Sequence, residues 1–332
     1  MGRGGHYGVS VNSTPESTLS APTTTRAAQR AGDDLPTGAQ VEIALGDQHA
    51  WVAAVGASLR AYTVGGRDVV LPFDEGALAP AFSGAVLAPW PNRLGEGAYD
   101  FAGVHHEVAL TERERRTALH GLVSFARFEV VAADASSVTL AHTIVPTPGY
   151  PWPVRIEVSY ALGDGGLVVT TTATNLGASA APYGVGFHPW LSPGGGAVDE
   201  CTLQVGVTRH VTVDDRLLPT GDEEPAGPYD LAEPLSLRGV QLDDAWLAPV
   251  LDDEGRSWAR FSAPDGRTVA MWADETFTAW QVCTGDGIPR IERRGVAVEP
   301  MTCIADAFRT GDLLITLEPA TTHRCVWGLR LE

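Results

Sequence analysis

Lysine is missing from this chain: every one of its 23 basic residues is arginine. Enzymes that form a Schiff base, anchor pyridoxal phosphate or hydrolyse nucleotides on a P-loop need a lysine amine at a defined place, so those classes are excluded. Cysteine is scarce. The four residues Cys201, Cys283, Cys303 and Cys325 lie far apart and form no Cys-x-x-Cys pair. With no secretory signal in view, a reduced cytoplasmic chain is expected, and disulfides among the four stay open. The nine histidines lack spacing such as His-Glu-x-x-His, so no metal is expected. His105 and His106 are adjacent and would point to opposite faces of a strand. No apolar run is long enough to cross a membrane. Positive charge is in deficit, with 41 acidic residues giving a net charge of -18. That balance repels phosphate backbones and anionic bilayers, so neither nucleic acid nor membrane is an expected partner, while a neutral ligand such as a sugar remains open.

Bulky apolar residues are almost absent from residues 1–38, which are rich in Ser, Thr, Pro, Gly and Ala. Such a segment cannot bury enough surface to offset its ordering entropy, and a disordered tail is expected there. From Gln40 the texture changes to short β-like runs punctuated by Gly, Asp and Pro. Residues 41–45, 51–55, 59–64 and 69–71 suggest a meander. Period-2 alternation is clear in Arg155 to Leu162, where Ile156, Val158, Tyr160 and Leu162 share a face, and in Ser137 to Ile144. The second run puts His142 on an apolar face, where it is read as a core or inter-sheet histidine. Further runs continue to residue 331, and no amphipathic helix of three turns interrupts them. The fold expected is all-β, a large antiparallel β-sandwich forming one domain over residues 39–332.

The unusual residues fall between the strands. Pro182-Tyr183-Gly184-Val185-Gly186-Phe187-His188-Pro189-Trp190 combines two glycines, which permit close backbone approach, with a proline that stiffens the turn after His188. Pro89-Trp90-Pro91-Asn92-Arg93 is too stiff for a central strand and ends in a guanidinium. Glu112-Arg113-Glu114-Arg115-Arg116 is a mixed charge run, read as a solvated loop or single helical turn. Ala118-Leu119-His120-Gly121 follows it. Leu242-Asp243-Asp244-Ala245-Trp246 places two carboxylates before an aromatic, and Glu299 closes an apolar strand ahead of Pro300-Met301-Thr302.

In this order, together with Asn175-Leu176-Gly177 and Asp306-Ala307-Phe308, these motifs resemble the aldose 1-epimerases, or galactose mutarotases, over nearly the whole chain after the tail. The resemblance implies a sandwich of the galactose-mutarotase type with a sugar bound in a groove across one sheet. It implies Glu299 as general base and His188 as general acid. Arg93, His120 and Asp243 would hold the sugar hydroxyls, with Asn92 beside them and Gln281 facing the groove from its strand. It implies no metal or organic cofactor. Many family members follow the glutamate with Thr-Gln, so Pro300-Met301-Thr302 marks a divergent branch whose sugar is not given by the resemblance. Asp244 competes with Asp243 as the hydroxyl acceptor, and in an extended segment only one of them reaches the ligand.

The residue types suit that chemistry. Interconverting anomers requires a base to take the proton of the C1 hydroxyl while an acid protonates the ring oxygen, and the two then exchange roles as the ring recloses. An ionised Glu299 and a charged His188 are expected at the start, each sustaining the other. Trp90, Trp190 and Trp280 are candidates either for an apolar floor under the sugar or for ordinary core. The expected substrate is a free hexose such as glucose or galactose. A hexose 6-phosphate is the alternative if Arg113, Arg115 and Arg116 cluster at the site. A non-catalytic carbohydrate-binding module is the alternative of another class. Monomer and homodimer both stay open.

Overall fold

The computed structural model describes Met1 and residues 34–332, so the tail expected over residues 1–38 falls almost wholly outside the described residues. Of its last few positions, Gly38 N–H closes a turn on the Leu35 carbonyl at 2.9 Å. Thr37 is buried there and its hydroxyl donates to the Glu75 carbonyl at 2.6 Å.

Two large sheets carry the molecule. The nine-stranded sheet runs, in spatial order, Glu129–Ala133, Ser137–Ile144, Val154–Gly163, Gly166–Asn175, Thr322–Leu331, Thr268–Asp274, Arg256–Ser262, Thr202–Val205 and Leu235–Ser236. The eight-stranded sheet runs Pro219–Glu223, Val207–Val213, Asp243–Pro249, Ala279–Cys283, Val296–Met301, Gly186–Phe187 and Val86–Leu87, with Trp190–Leu191 also paired to Val296–Met301. Their ladders are antiparallel. A four-stranded meander, Gln40–Leu45 to Arg67–Asp68, precedes them.

Alternation explains why the two sheets pack. In Val154–Gly163 every second residue from Val154 to Leu162 is buried, and these side chains share one core with Trp246, Trp280, Val282 and Val298 of the other sheet. Phe187 meets Trp327 across the interface at 5.2 Å between ring centroids, and Trp280 Nε1 donates to Ser257 Oγ at 3.1 Å. Removing a ring of this kind costs about 3–5 kcal/mol. All four cysteines are buried and unpaired.

Three local expectations change. His142 is half-buried, not core; a ring nitrogen lies 3.0 Å from the Arg127 carbonyl and the ring leans on Phe128. Residues 242–246 were expected in a loop, yet Asp243–Pro249 is a strand inside the eight-stranded sheet; its two leading carboxylates hide the apolar alternation. In the run Glu112 to Arg116, Arg113, Glu114 and Arg116 are exposed in a turn as expected, but Glu112 and Arg115 are half-buried, with a bridge between Glu112 and Thr117 closing the turn. Among the described residues the α-helix is a single turn, Ala307–Thr310, and no helix is long and apolar enough to cross a membrane.

Candidate functional site

The outer face of the eight-stranded sheet follows from its registers. Gln281 pairs with Glu299 across one ladder, and Ala245 pairs with Gln281 across the next. Since neighbours along a strand face opposite ways, Trp280, Val282 and Val298 enter the core while Asp243, Gln281 and Glu299 face outward, into a groove of about 570 Å³. Two small apolar clusters flank this row, one around Ala245, Ala279 and Met301, the other around Trp190, Cys283 and Ala297.

Loops bring Asn92, His120 and His188 to the groove, and a short strand, Arg93–Gly95, paired with Thr117–Leu119, brings Arg93. Gly184 lies so close to Cys303 Sγ, and Gly186 to Pro91 and Met301, that a Cβ at either place would collide. This close approach seats His188, whose N–H donates to the Ala85 carbonyl at 3.1 Å and whose carbonyl accepts from Gly84 at 2.8 Å. The imidazole stacks between Trp190 and Phe82, at 5.7 Å and 6.3 Å, and meets His120 edge-on at 5.3 Å.

Asn92 and His120 both hold left-handed backbone, with φ of 56° and 60°. Such a conformation costs roughly 1–2 kcal/mol per residue. Reciprocal bonds offset it: His120 N–H donates to the Asn92 carbonyl at 2.8 Å, and Asn92 N–H donates to His120 Nδ1 at 3.2 Å. Because Nδ1 accepts, the ring proton sits on Nε2. Burial, then His188 and Arg93, push the His120 pKa well below its ordinary value, so the ring is a neutral donor.

Three hydrogen bonds and one ion pair link the polar residues in a ring. Asn92 Nδ2 donates to Gln281 Oε1 at 3.2 Å, and Gln281 Nε2 donates to Asp243 Oδ1 at 2.9 Å. Asp243 Oδ2 lies 3.8 Å from Arg93 Nη2, and Arg93 Nη1 donates back to Asn92 Oδ1 at 3.3 Å. Asp306 supports it from behind: its N–H donates to the Arg93 carbonyl at 2.6 Å and its Oδ1 accepts from Gly95 N–H at 2.8 Å. Asp244 points away and meets His210 Nε2 at 3.2 Å. Asn175 likewise serves the scaffold, bonding the Ser179 and Leu317 carbonyls.

Glu299 and His188 stand together, with Oε1 and Nε2 3.4 Å apart and both side chains buried. Each keeps one buried polar atom without a partner, Glu299 Oε2 and His188 Nδ1. Burial lowers the His188 pKa to about 4. Burial first, then the charge of Asp243, raise that of Glu299 well above its ordinary value, against the pull of Arg93. These shifts favour the neutral pair, where the sequence led us to expect an ionised one at the start of the reaction. The difference is the cost of desolvating two charges, which a contact of 3.4 Å does not recover. Both forms carry one proton, and only its location differs.

Of the three tryptophans singled out, Trp190 lines the groove, whereas Trp280 lies in the inter-sheet core and Trp90 is buried against Phe308. Sequence reasoning missed Phe82 and Glu112. Phe82 packs 4.5 Å from His120 on a loop with left-handed Ala81 and Phe82, and neither of those positions holds a glycine to signal it. Glu112 is masked by the alternating charges of its own run, Glu112 to Arg116. Among the described residues no cluster of three or more His, Cys, Asp or Glu is arranged to hold a metal ion.

The chain shares 31% identity over 303 residues with the uncharacterised protein YihR of Escherichia coli (strain K12), covering 88% of this chain and 93% of that one. It is 28% identical to human galactose mutarotase over 191 residues, 54% of each. A solved galactose mutarotase-like protein from Clostridium acetobutylicum superposes with a TM-score of 0.78 at 16% identity, covering 88% of this chain and 95% of the other. That similarity bears out the sandwich architecture. The family model for aldose 1-epimerase matches residues 40–329, from the first strand of the meander into the last strand of the nine-stranded sheet, and the chain belongs to the aldose 1-epimerase family.

Proposed function

We propose that the protein is a mutarotase, opening and reclosing the ring of a free hexose such as galactose or glucose. The observation that carries this is the Glu299–His188 pair, a carboxyl and an imidazole 3.4 Å apart among the groove residues, each with a further buried atom that has no partner. Glu299 takes the proton of the C1 hydroxyl and His188 protonates the ring oxygen. For that start the shared proton has to sit on His188. Sugar hydroxyls donating to Oε2, with the Arg93 charge nearby, favour the ionised carboxyl once the groove is filled. The neutral His120 donates through Nε2 to the oxygen of the open form, Arg93 donates to a hydroxyl or the ring oxygen, and Asp243 accepts from hydroxyls. Asn92 and Gln281 hold those three in register, and the Trp190 edge provides apolar surface to the sugar's C–H face.

Polarimetry of freshly dissolved α-D-galactose and α-D-glucose tests the proposal, with wild type, Glu299→Gln and a protein-free blank. Galactose comes first because a human relative carries the name galactose mutarotase. Acceleration by the wild type that collapses in the variant is the expected result. Sugar binding without acceleration would favour a carbohydrate-binding module, which has no use for a matched acid and base.

One observation favours a phosphorylated hexose. Arg115 lines the groove and its Nε has no partner. The rest of the expected cluster is not there: Arg116 pairs with Glu96, and Arg113 does not line the groove. A single guanidinium already shared with Glu112 is a poor phosphate site, and the free sugar is the better reading. Competition of hexose 6-phosphates against galactose separates the two.

A further inference from the structure

We infer that Glu112 is a positioning residue for the sugar site, which acts by dictating which edge of the Arg93 guanidinium faces the groove; this rests on the proposed role of Arg93 in holding the substrate. Arginine has five N–H donors in a rigid fork. Glu112 takes one side of that fork in a bidentate contact, Oε2 from Nε at 2.9 Å and Oε1 from Nη2 at 3.2 Å. Asn92 Oδ1 takes a third donor, from Nη1. The two N–H groups left over lie on Nη1 and Nη2, and Nη2 is the atom 3.8 Å from Asp243. The end of the guanidinium is thereby committed to the groove.

Glu112 is itself fixed. Thr117 Oγ1 donates to its Oε2 at 2.7 Å, Arg115 Nη1 donates to its Oε1 at 2.9 Å, and the backbone bridge to Thr117 anchors its Cα. Burial works against its charge, but Arg93, Thr117 and Arg115 outweigh it and keep the carboxyl below its ordinary pKa. Side chains 9% and 17% exposed make Arg93–Glu112 a pair little screened by solvent and not a surface bridge. Bidentate guanidinium–carboxylate contacts of this kind set geometry as well as energy. Without Glu112, the long Arg93 side chain regains rotamers that point its fork elsewhere, and the substrate must reorder it on binding.

The test is a double-mutant cycle on the full chain, with Arg93→Ala, Glu112→Ala and the double variant assayed by polarimetry, and Glu112→Gln as a size-preserving control should Glu112→Ala fold poorly. Glu112→Ala should raise KM ~10-fold or more with a smaller change in kcat, in keeping with a lost charged hydrogen bond. Glu112→Gln should fall between, because its amide meets one guanidinium edge donor to donor. In the Arg93→Ala background, removing Glu112 should change KM by less than ~2-fold, since the two act as one unit. A merely structural role would instead multiply the penalties, which overturns the inference. A crystal structure of Glu112→Ala, or of Glu112→Gln, decides it without any assay. An Arg93 fork displaced from Asp243 supports the inference, and one still in place overturns it. If the wild type shows no mutarotase activity the proposed function fails, and that crystallographic result still decides the role of Glu112.

Discussion

The groove is made of two halves that are built differently. Asp243, Gln281 and Glu299 sit on three neighbouring strands, so their spacing is that of a hydrogen-bonded ladder, close to 4.8 Å per strand, and their common direction follows from registers over whole strands. His120 and His188 stand on connections, and Arg93 opens a three-residue strand paired with Thr117–Leu119 outside the large sheets; all three are held by left-handed residues, glycines without room for a Cβ, and reciprocal bonds such as those between Asn92 and His120. The strand half brings the carboxyls and takes its precision from the fold at no local cost. The loop half brings the donors and rings, and its precision depends on contacts particular to this site. The pair proposed to move the proton, Glu299 and His188, spans the seam between them.

Breaking that seam from either side should give the largest effect. Glu299→Gln and His188→Gln should each lower kcat by ~10²- to 10⁴-fold, and the double variant should be little worse than either alone because the two residues act on one proton. Single-turnover polarimetry of the three variants checks this. A full loss in Glu299→Gln with only a few-fold loss in His188→Gln would break the comparison, reducing the loop half to substrate binding.

The two halves were also unequally legible. Alternation in runs such as Val154–Gly163 predicts which residues enter the core, so the sandwich could be read from the sequence. The same period-2 rule sends Trp280 inward and Gln281 outward. It failed at Asp243–Pro249 because Asp243 opens to the groove and Asp244 has its partner in His210, which leaves two carboxylates where a strand pattern wants one apolar residue. The loop half was legible only as motifs. Pro182 to Trp190 carried enough glycine and proline to mark His188, whereas Ala81 and Phe82 hold left-handed backbone without being glycine, and Gly84 alone marks their segment. Glu112 was hidden by its neighbours: in a run of alternating charges, nothing local shows which carboxylate is buried against a distant guanidinium.

The adjacent aspartates sharpen the comparison at the level of one residue. Asp243 lines the groove and accepts from Gln281, while Asp244 serves His210 on the far side and accepts the Asp243 N–H at 3.0 Å. Asp243→Asn should raise KM for the sugar ~10-fold, as expected for a charged acceptor of a hydroxyl. Asp244→Asn, which retains an acceptor, should stay within ~2-fold. Equal effects would mean that strand register does not separate the two faces functionally.

The smallest expected effect is on stability, and its sign differs between the halves. In the folded chain the Glu299 pKa lies well above its ordinary 4.5, so its contribution is present below pH 4.5 and is lost as the pH rises through the folded value. The His188 pKa is lowered from 6.5 to about 4. The unfolded chain therefore binds the extra proton between those values, and stability increases with pH across that window. In the wild type the two slopes oppose each other as the pH rises from 4.5, the Glu299 loss acting against the His188 gain. Glu299→Gln should therefore match the wild type in acid and become more stable than it as the pH rises, by at most ~1.4 kcal/mol per pH unit. His188→Gln should instead remove the acid-side slope. Urea unfolding midpoints between pH 4 and 9 measure both, and a Glu299→Gln midpoint running parallel to the wild type would show that the carboxyl ionises in the folded chain as it does in the unfolded one. Divergence would mean that the strand half carries an alkaline cost, and the loop half an acidic one, to keep a single movable proton out of water.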